Sequence, residues 1–336
     1  MTNFPTERLI YLATHLAGWQ VMVIGDVILD EYLIGSTSRL SREAPIPVLE
    51  FERREVIPGG AANPSANIAA LGSRALQVSV VGADDNAETL RVLLRRSGID
   101  PSGVITDPTR PTTTKTRIMA QMGLRFPQQV ARIDRLSREA VGEATQNALL
   151  GAIQVGLARQ QAIIISDYLS GAVSLPLAQQ VQAWAATVGI LLTADAQGAF
   201  EKYSGYDLIK CNADELARHV GKSLHTDAEF AEAGRVLQAE LGIRQAIMIT
   251  RGAEGITVIT RDQSAHIAAP QIEDVYDTVG AGDTVIAVVT LALLAGASPS
   301  EAAALATYAA GIVIRKVGNY APNRNELIAA LQADGA

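Results

Sequence analysis

Short apolar runs alternate with helix-like stretches along the whole chain. Val21 to Ile24, Gln77 to Val81, Ala162 to Ile165, Ile190 to Ala194, Leu208 to Lys210 and Ala246 to Ile249 are rich in branched aliphatic residues and end at glycine or a polar residue. Runs of this kind, without polar alternation, suit strands covered on both faces of a parallel sheet. The Ala- and Leu-rich stretches between them, such as Leu175 to Val188, supply the crossover helices. Asp26, Asp167, Asp195, Asn212 and Thr250 stand just past the runs. In open α/β sheets, ligands bind outside those carboxyl ends. The pattern predicts an α/β fold, a three-layer α/β/α sandwich with a mainly parallel central sheet, formed as one domain over residues 1–336.

Two segments break the rhythm. Leu33 to Ile57 alternates with period two and contains Pro45 and Pro47, and Thr112 to Asp134 reads as two strands around a loop with Gly123 and Pro127. Neither carries a helical stripe. Both are expected as antiparallel strands projecting from the core, a small β-lid over about residues 31–58 and 111–135. Its outer face carries Ile46, Val48, Leu49 and Phe51. Exposed edges and apolar patches tend to be covered, so a two-fold dimer through paired lids is expected.

Composition narrows the partners. Of 336 residues, 48% are apolar and 19% charged, enough for a large core and too few for extended disorder. The net charge is −7, from 28 basic and 35 acidic residues, and no basic block stands out. Nucleic acid and anionic membranes are therefore not expected partners. A small anion remains possible, because local charge decides its binding. Cys211 is the one cysteine, so no intrachain disulfide can form and a cytoplasmic location is expected. Met1 to Gln20 has no signal-peptide pattern. Thr284 to Ala297 is the longest apolar stretch, too short to span a bilayer and expected as a buried helix.

The strongest chemical signal is Asp277 to Asp283, with Gly280, Ala281 and Gly282 leading into that helix. Small residues there expose the first N–H groups of the helix, an anion hole for a phosphoryl group. Asp283 is placed to accept the proton of an attacking hydroxyl. An ordinary helix start with a first-turn acid accounts for Gly280 to Asp283 equally well; Asp277 and the chain position favour the chemical alternative. The second signal runs from Gly59 and Gly60 through Asn63 and Asn67 to Gly72. The two glycines allow close approach to a ligand, and Asn63 and Asn67 share a helix face, suited to sugar hydroxyls. Helix capping would explain Asn63 but not Asn67.

Together the two stretches resemble the paired signatures of the ribokinase-like, or PfkB, carbohydrate kinases, and the similarity covers nearly the whole chain. It implies the ribokinase-like fold, an ATP-dependent kinase acting on an alcohol group, Mg²⁺, and room for a monovalent cation such as K⁺. Gly280 to Asp283 match the family's anion hole and base, Asn212 to Glu215 its N-x-x-E motif, whose acid organises Mg²⁺ through water, and Thr250, Gly252 and Gly255 its nucleotide turn; Asp277 is assigned to the same side. Neither a Walker A pattern nor G-x-G-x-x-G is present.

Within the family, Gly25 to Tyr32, Gly35, Arg39, Ser41, Glu43 to Val48, Val275 to Asp277 and Gly282 to Ile286 look like the bacterial D-glycero-D-manno-heptose 7-phosphate kinases, which phosphorylate O1. By that resemblance Asp30, Gly59, Gly60 and Asn63 hold the sugar. Lys115 and Arg117 lie at i, i+2 on one strand face, as do Arg132 and Asp134, and the cations can bind the substrate's phosphate. A solvated strand face with ion pairs is the alternative. Bifunctional relatives carry an adenylyltransferase domain after the kinase; ending at Ala336, this chain is expected to be the kinase alone.

Three features depart from the heptose kinases. Their Asp-Pro-Lys-Gly is replaced by Asp195 to Gly198 without a lysine, the loop around Phe126 and Pro127 is longer, and Thr307 and Tyr308 stand where Asn-Ala is usual. These put the substrate in question, so another sugar or sugar phosphate stays open, as does a non-catalytic sugar or nucleotide sensor, against which Asp283 argues. His15, His219, His225 and His266 lack metal-ligand spacing, and Cys211 reads as a buried hydrophobe.

Overall fold

The computed structural model describes residues 4–121, 127–272 and 274–334. The chain opens with α1 (Thr6–Thr14), β1 (Gln20–Gly25), β2 (Val27–Leu40), β3 (Pro47–Gly60), α2 (Ala62–Ala70) and β4 (Arg74–Val81). It continues through α3 (Asp85–Arg96), β5 (Ile99–Thr106), β6 (Thr114–Gln121), β7 (Gln128–Arg135), α4 (Glu143–Leu157) and β8 (Ala162–Asp167). Then come α5 (Leu175–Val188), β9 (Leu191–Ala196), β10 (Leu208–Asn212), α6 (Ala213–Val220), α7 (Asp227–Leu241) and β11 (Ala246–Thr250). The last elements are β12 (Ile256–Thr260), β13 (Ser264–Ile267), α8 (Ala281–Leu294), α9 (Pro299–Val313) and α10 (Arg324–Asp334).

A nine-stranded sheet runs in the order β13-β12-β11-β10-β9-β8-β1-β4-β5. All its pairings are parallel except β11–β12 and β12–β13. Each predicted apolar run is a strand of it. Alternate residues feed opposite faces: Val21 and Val23 join the core under α2, α8 and α9, whereas Met22 and Ile24 join the core under α4, α5 and α7. Burial on both faces is why these strands read as continuous apolar runs. Strands β5, β12 and β13 escaped sequence reading. Asp100, Pro101, Ser102 and Gly103 interrupt β5, which an edge position tolerates.

Register aligns the carboxyl ends. Gly25 pairs with Ser166, Ser166 with Asp195, and Asp195 with Lys210. Helix α8 starts at these ends, where Gly282 adjoins Lys210, and packs along one face of the sheet. It is buried without interruption from Asp283 to Ala292, and Thr290 meets Thr193 of β9 at 2.9 Å.

A second, four-stranded sheet has the order β3-β2-β6-β7. Both hairpins are antiparallel, but β2 and β6 at its centre pair in parallel, which corrects the expected all-antiparallel arrangement. The parallel pairing follows from topology, because β2 and β6 each leave the large sheet in the same direction. Gly123 and Phe126, which fall between β6 and β7 in the chain, lie outside the described residues.

Candidate active site

Gly280 begins α8 with φ 81°, a left-handed conformation that favours glycine. The Ala281 N–H turns back to the Thr278 carbonyl at 3.3 Å, which leaves those of Gly282 and Asp283 as the open donors of the first turn among the described residues. Asp283 is 6% exposed. Its Oδ2 accepts from Asn63 Nδ2 at 2.9 Å and its Oδ1 from the Tyr168 hydroxyl at 2.8 Å. Burial, with Asp195 nearby, pushes this carboxyl up to about 6. A carboxylate so placed is ionised at neutral pH yet basic enough to take a proton.

Asn63 therefore does reach the site, through Asp283. Asn67 does not: its Nδ2 donates to the Asn63 carbonyl at 2.9 Å, and its Oδ1 accepts from the Thr284 hydroxyl at 3.0 Å. It joins α2 to α8 inside the core, which replaces the sugar-facing role expected from helical spacing. Gly59 lies against Asp30, and a Cβ there would stand 1.9 Å from Asp30 Oδ2. Gly60 has φ 59° and its Cβ position is 2.4 Å from the Asp26 carbonyl.

Beside Gly282 lies a lysine that the sequence did not flag. Lys210 is 5% exposed, and its Nζ contacts both oxygens of Asp195 at 2.9 and 3.0 Å. A Cβ on Gly282 would meet that Nζ at 2.8 Å. Burial pulls the ammonium toward neutrality, but Asp195 outweighs it, so Lys210 holds its proton more tightly than a free lysine. Next in the chain, Asn212 and Glu215 form a capping box: Asn212 Oδ1 accepts from the Glu215 N–H at 2.8 Å, and Glu215 Oε2 from the Asn212 N–H at 2.6 Å. Half of the N-x-x-E pattern is thus a helix cap. Burial pushes the Glu215 carboxyl up, and its second oxygen accepts no hydrogen bond among the described residues.

A cavity of about 550 Å³ opens on the other side of Gly282. Thr250, Gly252, Gly255, Thr278, Val285 and Thr307 are among its lining residues. Gly255 has φ 103°, and a Cβ would press 2.1 Å from the Ile267 carbonyl. Thr307 lines this cavity, whereas Tyr308 points away to the Asp334 carboxylate. Asp277 uses its carboxylate on backbone, accepting from Val279 and Gly318 N–H at 3.0 Å each, and so shapes the loop before Gly280.

The small sheet divides its charges. Arg117 donates to Asp30 Oδ1 at 2.6 Å, with Asn319 Nδ2 at 3.2 Å on the other oxygen. Arg132 and Asp134 pair with each other on an exposed strand, at 2.9 and 3.0 Å. Lys115 has no anionic partner among the described residues; its Nζ stands 5.6 Å from the centre of the Tyr168 ring. Register sets Lys115 opposite Asp134 and Arg117 opposite Arg132, so the four share one sheet face; Lys115 and Arg117 reach Tyr168 and Asp30, whereas Arg132 and Asp134 stay on the exposed outer strand. Cys211 is buried, with its thiol pushed up by that burial. No helix among the described residues is long and apolar enough to cross a membrane.

The profile described as pfkB family carbohydrate kinase matches residues 20–326. The chain is 38% identical to Bifunctional protein HldE of Geobacter metallireducens over 321 residues, 95% of this chain and 64% of that one. It is 40% identical to Bifunctional protein HldE of Methylobacillus flagellatus over 315 residues, 93% of this chain and 63% of the relative. It thus spans about 64% of the length of such relatives. Escherichia coli phosphofructokinase-2, in complex with potassium, superposes with a TM-score of 0.75 at 19% identity, covering 95% of this chain and 99% of the other. Arabidopsis thaliana ribokinase, complexed with ribose and ATP, does so at 0.71 and 18%, covering 94% and 99%.

Proposed function

The chain belongs to the pfkB family of carbohydrate kinases, and on that footing we propose that it transfers the γ-phosphate of ATP to O1 of D-glycero-β-D-manno-heptose 7-phosphate. The observation that carries the reading is the position of Asp283: a buried carboxylate on the first turn of α8, with the 550 Å³ cavity across Gly282 from it. The cavity takes the nucleotide. The sugar lies opposite, between Asp30, Gly59, Gly60 and the small sheet, which acts as its lid.

Asp283 accepts the proton of the acceptor hydroxyl. The freed oxygen attacks the γ-phosphorus, a new P–O bond forms, the bond to the bridging oxygen breaks, and ADP leaves. Charge growing on the transferred group faces the N–H groups of Gly282 and Asp283 and the Lys210 ammonium. Lys210 comes from β10 but meets Asp195 of β9, two residues before Gln197, and we assign it the work of the lysine absent at Gln197.

Among the described residues no three His, Cys, Asp or Glu side chains form a metal cage. That fits Mg²⁺, which keeps waters and takes phosphate oxygens. Glu215, with one oxygen open, would hold it through water. When bound, the ion neutralises phosphate charge. A monovalent cation such as K⁺ belongs to the same reading, tested by activity in K⁺ against Na⁺. The substrate's own phosphate falls to Lys115, with Arg117 behind it. Leu40, Ile46, Phe51 and Ile133, on or beside the small sheet, are exposed apolar residues, which supports a homodimer through paired lids. The reading puts the enzyme in the cytoplasm, with its ATP.

The test is ³¹P NMR of the product formed from ATP and the heptose 7-phosphate. A second, anomeric phosphate signal is expected. An unchanged sugar, with another sugar phosphate consumed instead, would reassign the substrate and keep the kinase.

A further inference from the structure

Both oxygens of Asp283 are held, and one of the two donors comes from a loop pinned with unusual care. The loop after β8 gives three N–H groups to the buried Asp26 carboxylate: Tyr168 at 3.0 Å, Ser170 at 3.0 Å and Ala172 at 3.1 Å. A fourth, from Leu169, goes to Asp167 Oδ1 at 2.8 Å. Leu169 itself sits at φ 56°, a conformation that disfavours a residue with a Cβ. Two buried acids thus fix four consecutive or near-consecutive amides. What they fix in space is Tyr168, whose hydroxyl reaches Asp283 Oδ1 at 2.8 Å and whose ring lies under Lys115.

We propose that Tyr168 is a positioning residue for phosphoryl transfer: with Asn63 it locks the Asp283 carboxylate in one plane, and Asp26 holds the loop that delivers it. The inference rests on Asp283 being the base. With one donor on each oxygen, rotation of the carboxylate is suppressed, and each oxygen keeps a lone pair for the incoming hydroxyl proton. A phenol donor also favours the charged form of the acid. Burial holds the phenol's own proton well past its ordinary range, so it stays a donor throughout the working pH. The other groups facing Asp283 are Asp195 on β9 and Lys210 on β10, with Asp30 acting on the phenol.

The experiment is Tyr168→Phe, which keeps the ring and removes the hydroxyl. The Asp283 carboxyl is followed by ¹³C NMR in substrate-free protein, its signal assigned by loss in Asp283→Asn. The titration should move up by roughly one pH unit, about what one hydrogen bond to a charged group supplies. With substrate, kcat should fall about tenfold to a hundredfold while KM for ATP changes little. Replacing Tyr168 by 3-fluorotyrosine keeps the shape and strengthens the donor, so the titration should move down. An Asp283 signal unmoved in both proteins overturns the proposal, as does a loss of melting temperature and ATP binding without a shift. If the heptose phosphate is not turned over by the wild type but the titration still moves, the acceptor is wrong and the role of Tyr168 stands.

Discussion

Lys210 and Gly282 fit together only because Gly282 has no side chain: a Cβ there would stand 2.8 Å from the lysine Nζ. The lysine cannot swing away cheaply, because it is buried and holds both oxygens of Asp195. Gly282→Ala should therefore keep the fold and lower kcat at least about tenfold, since it displaces the ammonium from the phosphoryl path by the cost of one charged hydrogen bond. Steady-state kinetics with a melting curve checks this; full activity would detach Lys210 from catalysis.

The Lys210–Asp195 pair also predicts a stability pattern. Lys210→Met leaves a buried carboxylate unpaired and should destabilise by about 3–5 kcal/mol. Lys210→Met/Asp195→Asn should recover much of that loss without recovering activity. Chemical denaturation of the two variants makes the comparison, and equal stabilities would mean that the pair is not coupled.

Asp283 and Asp26 are both pushed up to about 6, first by burial and then by the neighbouring Asp195 and Asp167 respectively. The sign follows. Between about pH 4 and 6 the native protein binds more protons than the unfolded chain, so stability falls as pH rises through that window. Asp283→Asn removes one of these charges, and its amide can pair with both Asn63 and Tyr168. The variant should melt roughly 2–5 °C higher than wild type at pH 7.5, with the gain vanishing by pH 4. Wild-type kcat/KM should drop on the acid side near pH 6, as the base is protonated. A pH-independent difference in melting temperature would contradict this.

The chain shows its fold plainly where burial is two-sided. Val21 to Ile24 and Ala162 to Ile165 are strands that no surface requirement has interrupted. Strand β5 lies at an edge and keeps Pro101 and Gly103, so its pattern is lost. Gly280 to Asp283 and Asn212 to Glu215 are local, and local spacing reveals them. Lys210 and Tyr168 are not legible in this way. Each is ordinary in its own segment, and its meaning comes from residues far away in the chain: Asp195 and Gly282 for the lysine, Asp283 for the tyrosine. Asn67 shows the reverse error, since its helical spacing with Asn63 is real but its partner is Thr284.

Lys115 is a cation of the small sheet with no anionic partner among the described residues, and it overhangs Tyr168. Lys115→Ala should raise KM for the sugar phosphate about tenfold to a hundredfold and leave KM for ATP nearly unchanged. Arg132→Ala should do little to either, because Arg132 is exposed and paired with Asp134. Equal losses for both substrates in Lys115→Ala would mean that Lys115 supports the sheet rather than the phosphate.

Glu215→Gln keeps an acceptor for the Asn212 N–H, so the cap of α6 survives. The variant should fold normally and need more Mg²⁺ for half-maximal rate. An unchanged Mg²⁺ dependence would reduce Glu215 to a capping residue.

The most direct test is coupled ADP release with D-glycero-β-D-manno-heptose 7-phosphate, in wild type and in Asp283→Asn. ADP should appear in step with the sugar phosphate consumed, and the variant should bind ATP normally while turning over roughly 10²–10⁴-fold more slowly. ADP release by Asp283→Asn at the wild-type rate would contradict the assignment of the base, and no release by the wild type with any sugar or sugar phosphate would contradict catalysis itself.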